Sequence, residues 1–140
     1  MYRYVSTLDD LLDLREWFGR QPYVAMDTET TGLDVHARDF RVRLIQFGNK
    51  TEAWVMDGED YKGFVKDMLR DFKGRIIGHN LGAYDYAALR AVGIRLPMEK
   101  VDDTLVAMRL ARPHHQAALK VVTSRYISPQ AAESQETLHK

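Results

Sequence analysis

An apolar run, Tyr23-Val24-Ala25-Met26, breaks into Asp27-Thr28-Glu29, and this junction constrains the chain more than any other stretch. Residues i and i+2 of a strand leave the same face. A strand here therefore stands Asp27 and Glu29 side by side. Their like charges repel unless something positive lies between them, and hard divalent cations prefer carboxylate and water oxygens. A cation-holding pair is one reading of the junction. The other is a turn or cap at a strand end, because Asp, Thr and Gly all suit turns.

The surrounding periodicity predicts an alternating chain. Thr7 precedes Leu8, Leu11, Leu12, Trp17 and Phe18 at helical spacing, with Asp10 in the capping-box position and Gly19 and Pro22 as stop signals. Strand-like runs follow at about 23–28, 41–47 and 52–57, with Gly48-Asn49-Lys50 as a hairpin turn. Helical spacing returns over about 60–72, and Arg75-Ile76-Ile77-Gly78 reads as a short buried strand. A helix is predicted from near Tyr84 to Val92, a short strand near Val101, and helices at about 103–111 and 115–126. Three strands in series followed by helix–strand units predict an α/β layer fold with a mixed sheet.

Composition bounds the rest. The 140 residues are 45% hydrophobic and 29% charged, enough for one domain that buries roughly two-thirds of its unfolded surface. No apolar stretch approaches the ~20 residues of a membrane span, and the absence of cysteine excludes disulfides and thiolate metal sites. A cytoplasmic setting without membrane partners is expected. The formal net charge is zero, which argues against a broad basic surface for duplex DNA. Arg38, Arg41 and Arg43, and Arg70, Lys73 and Arg75, read as solvated faces. Bound cations would supply positive charge where a phosphate sits, so charge balance is compatible with a metal-dependent nuclease.

Two further segments carry chemistry-bearing residues: Ile76-Ile77-Gly78-His79-Asn80-Leu81-Gly82-Ala83-Tyr84-Asp85, and Val101-Asp102-Asp103-Thr104-Leu105. With Asp27-Thr28-Glu29-Thr30-Thr31-Gly32-Leu33 ahead of them, the chain resembles the DEDD 3′–5′ exonucleases over most of residues 20–126. It is most similar to the proofreading domains of family A, phage-type DNA polymerases. The resemblance implies a ribonuclease H-like, three-layer α/β fold with a mixed central sheet. It also implies hydrolysis of nucleotides from single-stranded DNA 3′ ends in a replication setting.

By the same resemblance, Asp27, Glu29 and Asp85 are the catalytic carboxylates and the metal ligands, holding Mg²⁺ or Mn²⁺. Two such ions roughly 3.5–4 Å apart activate water and stabilise the leaving oxygen. Asn80, Thr28, Thr30 and Leu33 match positions that hold the substrate's 3′ end, with Leu33 as an apolar wedge. The residues alone leave other roles open: Asp85 as an acid at a helix start, Asn80 as a turn residue, Leu33 as core. His79 reads as structural, His114-His115 as loop, and Asp102 and Asp103 as an N-cap pair.

The sequence departs from the family at two places. The fourth carboxylate belongs to a Tyr-x₃-Asp or His-x₃-Asp motif, yet Asp103 is the last aspartate. Gln130 lies four residues after Tyr126, and Ala118 and Leu119 four after His114 and His115. Asp85 also follows His79 by six positions where five is usual, which puts its aim in question. The expectation is an exonuclease-like domain over 1–126, truncated at its C-terminal end, with a disordered polar tail over 127–140. Its activity is expected to be low or absent unless a polymerase domain or another chain supplies the missing motif. The alternative is a non-catalytic nucleic-acid-binding or polymerase-interaction module of the same fold.

Overall fold

Thr7 opens the first helix as its spacing to Asp10 predicts, in the computed structural model that describes residues 1–127. The Asp10 amide donates to Thr7 Oγ1 at 3.1 Å, and Asp10 Oδ2 accepts from the Thr7 amide at 3.0 Å. Two orphan donors of the helix start are thereby satisfied reciprocally. This helix, α1 (Leu8–Arg20), buries Leu14, Trp17 and Phe18 and runs through Gly19 to a cap at Gln21.

The described residues fall into two compact units, which divide between Asp102 and Asp103. The first is built on a six-stranded sheet: β1 (Tyr2–Tyr4), β2 (Tyr23–Thr30), β3 (Val42–Gly48), β4 (Ala53–Asp57), β5 (Arg75–Gly78) and β6 (Val101–Asp103). Their order is β1-β4-β3-β2-β5-β6. The central meander β2-β3-β4 is antiparallel, whereas β1 pairs parallel with β4 and β5 parallel with β2. The sheet is mixed, as expected. The Gly48 turn closes on Asn49, whose side-chain carbonyl accepts the amides of Thr51 and Glu52, both at 2.8 Å. β1 was not foreseen, because three residues alternating Tyr-Arg-Tyr carry too little apolar pattern to announce a strand.

Alternate residues of β2, Val24, Met26 and Thr28, are buried, and Tyr23, Ala25 and Asp27 are exposed. The buried row joins a core that includes Phe18, Ile45, Phe47, Trp54, Met56 and Ile76. Phe18 meets Phe47 edge-on at 5.1 Å between centroids and Phe72 at 4.4 Å. Such pairs contribute roughly 0.5–1.5 kcal/mol beyond the area they bury. Helix α2 (Lys62–Asp71) adds Val65, Met68 and Leu69, and Lys100 Nζ donates to the carbonyls of Arg70 and Phe72 at its C-terminal end. A cation there complements the helix dipole.

Two expectations are corrected beyond these elements. Asp102 and Asp103 do not act as a pair: Asp103 caps helix α4 (Thr104–Ala111) by accepting the Leu105 amide at 2.9 Å. Asp102 instead takes both guanidinium arms of Arg75, at 2.6 and 2.8 Å. Successive strand residues point to opposite sides, so two aspartates in series seldom share a task. Helix α5 spans Leu119–Tyr126 rather than starting near 115, because Pro113 sits in a turn closed by the His115 amide on the Arg112 carbonyl. Neither α4 nor α5 buries a side chain. No helix among the described residues is long and apolar enough to cross a membrane. The tail expected over 127–140 lies, from residue 128 on, outside the described residues.

Candidate active site

β2 changes character halfway along. Tyr23, Val24 and Ala25 pair with β5, whose ladder stops at Ala25 opposite Ile77, and the β3 ladder takes over from Ala25, opposite Gly48. From Asp27 to Thr30 the strand is paired on the β3 side alone, with Asp27 opposite Gln46, Thr28 opposite Ile45 and Glu29 opposite Leu44. The register then slips, and Thr30 faces Val42, so Arg43 is the extra residue of a bulge. Bulges end pairing and re-aim side chains, and they recur beside active sites.

Where the β5 ladder stops, the segment after it turns back toward β2. Gly78 is required there: a Cβ on it would sit 2.4 Å from the Leu81 side chain, which is fully buried. Asn80 takes the left-handed conformation at φ 64°, tolerated by Asn more readily than by most residues. Leu81–Asp85 then forms one π-helical turn, closed by the Tyr86 amide on the Leu81 carbonyl, before α3 (Tyr86–Ala91) continues as an α-helix. An i→i+5 turn holds one residue more than an α turn. That absorbs the additional residue between His79 and Asp85, the feature that put the aim of Asp85 in question.

The π turn delivers two neighbouring side chains to β2. Asp85 is buried and accepts a 2.6 Å hydrogen bond from Thr28 Oγ1. Tyr84 Oη lies 2.5 Å from Thr30 Oγ1 and donates to the Gly32 carbonyl at 3.0 Å. Beyond Thr30 the chain turns outward, and Leu33 is 85% exposed. The core alternative for Leu33 is thereby removed. Sequence reasoning missed Tyr84 as a site residue, because its partners stand more than fifty positions away and no local pattern announces them.

The electrostatics mark Asp27. Withdrawal of its carboxylate from water, then the negative charge of Asp85, then that of Glu29, push its pKa from 3.8 up to about 6. The Thr28 amide opposes this by hydrogen bonding. The residue keeps an exposed surface, so the carboxylate is crowded yet reachable. Carboxylates that hinder one another's ionisation in an accessible place are where a hard cation gains most. Asp27, Glu29 and Asp85 therefore fit a divalent ion in donor chemistry. No group of three or more His, Asp or Glu residues is drawn close enough to enclose one among the described residues. His114 and His115 lie in the turn before α5, in the second unit.

A mixed six-stranded sheet with helices, with Asp27 and Glu29 late on β2 and Asp85 brought in by the π turn, has the architecture of the ribonuclease H-like fold. The chain belongs to the 3′–5′ exonuclease family of the DNA polymerase A type, whose family model matches residues 2–140. It is 34% identical over 139 residues to the DNA polymerase of Mycobacterium phage D29, covering 90% of this chain and 23% of that one. It is 31% identical over 146 residues to the DNA polymerase of Mycobacterium phage L5, covering 96% and 24%. The chain thus spans about a quarter of the length of these relatives. Among solved structures, Brucella melitensis NrnC with bound Mg²⁺ superposes with a TM-score of 0.68 at 25% identity, over 90% of this chain and 59% of that one. Escherichia coli RNase D, an exoribonuclease involved in structured RNA processing, shares the fold with a TM-score of 0.69 at 23% identity, over 91% and 33%.

Proposed function

We propose that this chain is the metal-dependent, proofreading-type 3′–5′ exonuclease domain of a phage-type DNA polymerase, acting on single-stranded DNA 3′ ends. The observation that carries the reading is the crowding of Asp27 by Asp85 and Glu29 at the end of a strand that otherwise builds core. Stability alone gives no reason to gather three acids there. The similarity to phage DNA polymerases favours DNA over RNA. A polymerase domain is the natural partner, since the relatives are DNA polymerases about four times as long.

In this reading Asp27, Glu29 and Asp85 hold Mg²⁺ or Mn²⁺. The bound cation supplies Lewis acidity and a water of lowered pKa. The chain's own residues do the positioning. Thr28 holds Asp85 by its hydroxyl, fixing the orientation of the carboxylate. Asn80, held in its left-handed turn, and Thr30 line the approach to the 3′ end, and Leu33 offers an apolar contact to the terminal bases. Missing from the 140 residues is a Tyr-x₃-Asp or His-x₃-Asp segment after Asp103. Lack of one orienting or general-base group costs about 10²–10⁴ in rate, so low or absent turnover by the chain alone is expected.

The test is shortening of a 5′-labelled single-stranded DNA oligonucleotide with Mn²⁺, comparing the chain with Asp27→Ala. Stepwise loss from the 3′ end that disappears in Asp27→Ala supports the enzyme. A second reading is favoured by the lack of a closed three-acid cage among the described residues: a non-catalytic module that binds single-stranded ends. Binding with no shortening at high protein concentration would establish that reading and sink intrinsic activity.

A further inference from the structure

We infer that the Tyr84 hydroxyl is a positioning residue that fixes the Thr30–Leu33 turn so that Leu33 meets the substrate strand; this rests on the single-stranded-end reading above. Three oxygens close a triangle: Tyr84 Oη to Thr30 Oγ1 at 2.5 Å, Tyr84 Oη to the Gly32 carbonyl at 3.0 Å, and Thr30 Oγ1 to the same carbonyl at 2.9 Å. Each hydroxyl has one proton to give. Either both hydroxyls donate to the Gly32 carbonyl, or one donates to the other and the second donates to the carbonyl. In each arrangement the carbonyl is held and Tyr84 is tied to the turn. Replacing the phenol by a ring without oxygen leaves Thr30 only its local bond and frees the turn from the π-helical segment.

The same turn offers little else to hold itself. On its far side it is tied by the Thr31 amide to the Arg41 carbonyl at 3.0 Å and by the Arg41 amide to Thr31 Oγ1 at 3.0 Å. Leu33, at 85% exposure, packs on nothing substantial. Gly32 has no positive φ, and a Cβ on it would meet nothing within 4 Å. Neither backbone strain nor internal crowding asks for glycine there, and its bare surface lets a ligand come close to the backbone. An exposed leucine beside an open glycine, held by a tyrosine from a distant segment, is arranged for contact with something outside the chain.

The experiment uses Tyr84→Phe, Leu33→Ala and the double variant. Affinity for a fluorescent single-stranded DNA oligonucleotide is read with Ca²⁺ present, which supplies a hard cation in place of Mn²⁺. Tyr84→Phe is expected to weaken binding roughly three- to tenfold, the worth of one or two net hydrogen bonds. In the Leu33→Ala background it should weaken binding little further, because Tyr84 acts through that residue. In parallel, trypsin cleavage after Arg38 and Arg41, followed by mass spectrometry, should speed up in Tyr84→Phe as the turn opens more often, with the melting temperature unchanged. Equal cleavage in both proteins overturns the latch whatever the chain binds. Additive losses in the double variant overturn the link to Leu33. Wild type that binds no oligonucleotide defeats the single-stranded-end reading and the substrate role of the turn together, and is told apart by its own arm.

Discussion

The two halves of β2 share a strand and differ in nearly everything else. From Tyr23 to Met26 the alternate side chains are core, and the backbone is paired first with β5 and, from Ala25, with β3. From Asp27 to Thr30 one flank loses its ladder, and side chains from the π turn, Asp85 on Thr28 and Tyr84 on Thr30, take its place. Main-chain pairing makes no choice among side chains. A side-chain clamp does, and it leaves the intervening carboxylates free to face outward. A strand can therefore be a scaffold at one end and a site at the other, provided its neighbour stops early.

The contrast is broken most severely from the scaffold half. Met26→Ala should cost about 2–5 kcal/mol, the usual range for truncating a buried methionine, as read by urea denaturation. A loss below about 1 kcal/mol would mean that this half is not the anchor described. Thr28→Val comes next, with a loss of about 1.5–3 kcal/mol for removing a donor to a buried carboxylate. Thr28→Ser should recover most of it, since the hydroxyl is what Asp85 uses.

Asp27→Asn should act in the opposite direction. A carboxyl whose folded pKa of about 6 exceeds its unfolded 3.8 binds its proton more tightly in the native state. Its contribution is fully present below 3.8 and is lost as pH rises through 6. Without cation, the variant should melt higher than wild type at pH 8, with the difference shrinking as pH falls toward 4. Saturating Mn²⁺ should raise the melting temperature of wild type and not of the variant, and protons should compete with that gain below pH 6. A variant that melts lower than wild type at pH 8 would show that Asp27 is not crowded. Smallest of all is Leu33→Ala, expected within about 0.5 kcal/mol of wild type because the side chain is already in solvent; calorimetry decides it.

Much of this architecture was legible in the residues. Thr7 and Asp10 announced α1 because a capping box is local, and the alternation through Val24, Met26 and Thr28 announced β2 because one face must be buried. Asp27 and Glu29 could be paired by eye for the same reason. What escaped was non-local or depended on backbone detail. The division of labour between Asp102 and Asp103 depends on Arg75, far away in sequence. The latch made by Tyr84 depends on a hydroxyl reaching Thr30 and Gly32. The late start of α5 depends on a turn that periodicity ignores, since Ala117, Ala118 and Leu119 read as helix whether or not the chain has yet straightened.

The π turn has a consequence for how relationships are traced. Counted by spacing, the interval from His79 to Asp85 is one residue out of step and invites a gap in any pairwise comparison. In three dimensions the extra residue is spent within a single wide ring, and α3 resumes afterwards. Motif searches with fixed intervals would discard a chain like this one, whereas a search that tolerates one added position inside the first turn of the helix would keep it. The length of a motif is thus a weaker signature of kinship than the place where its last side chain arrives.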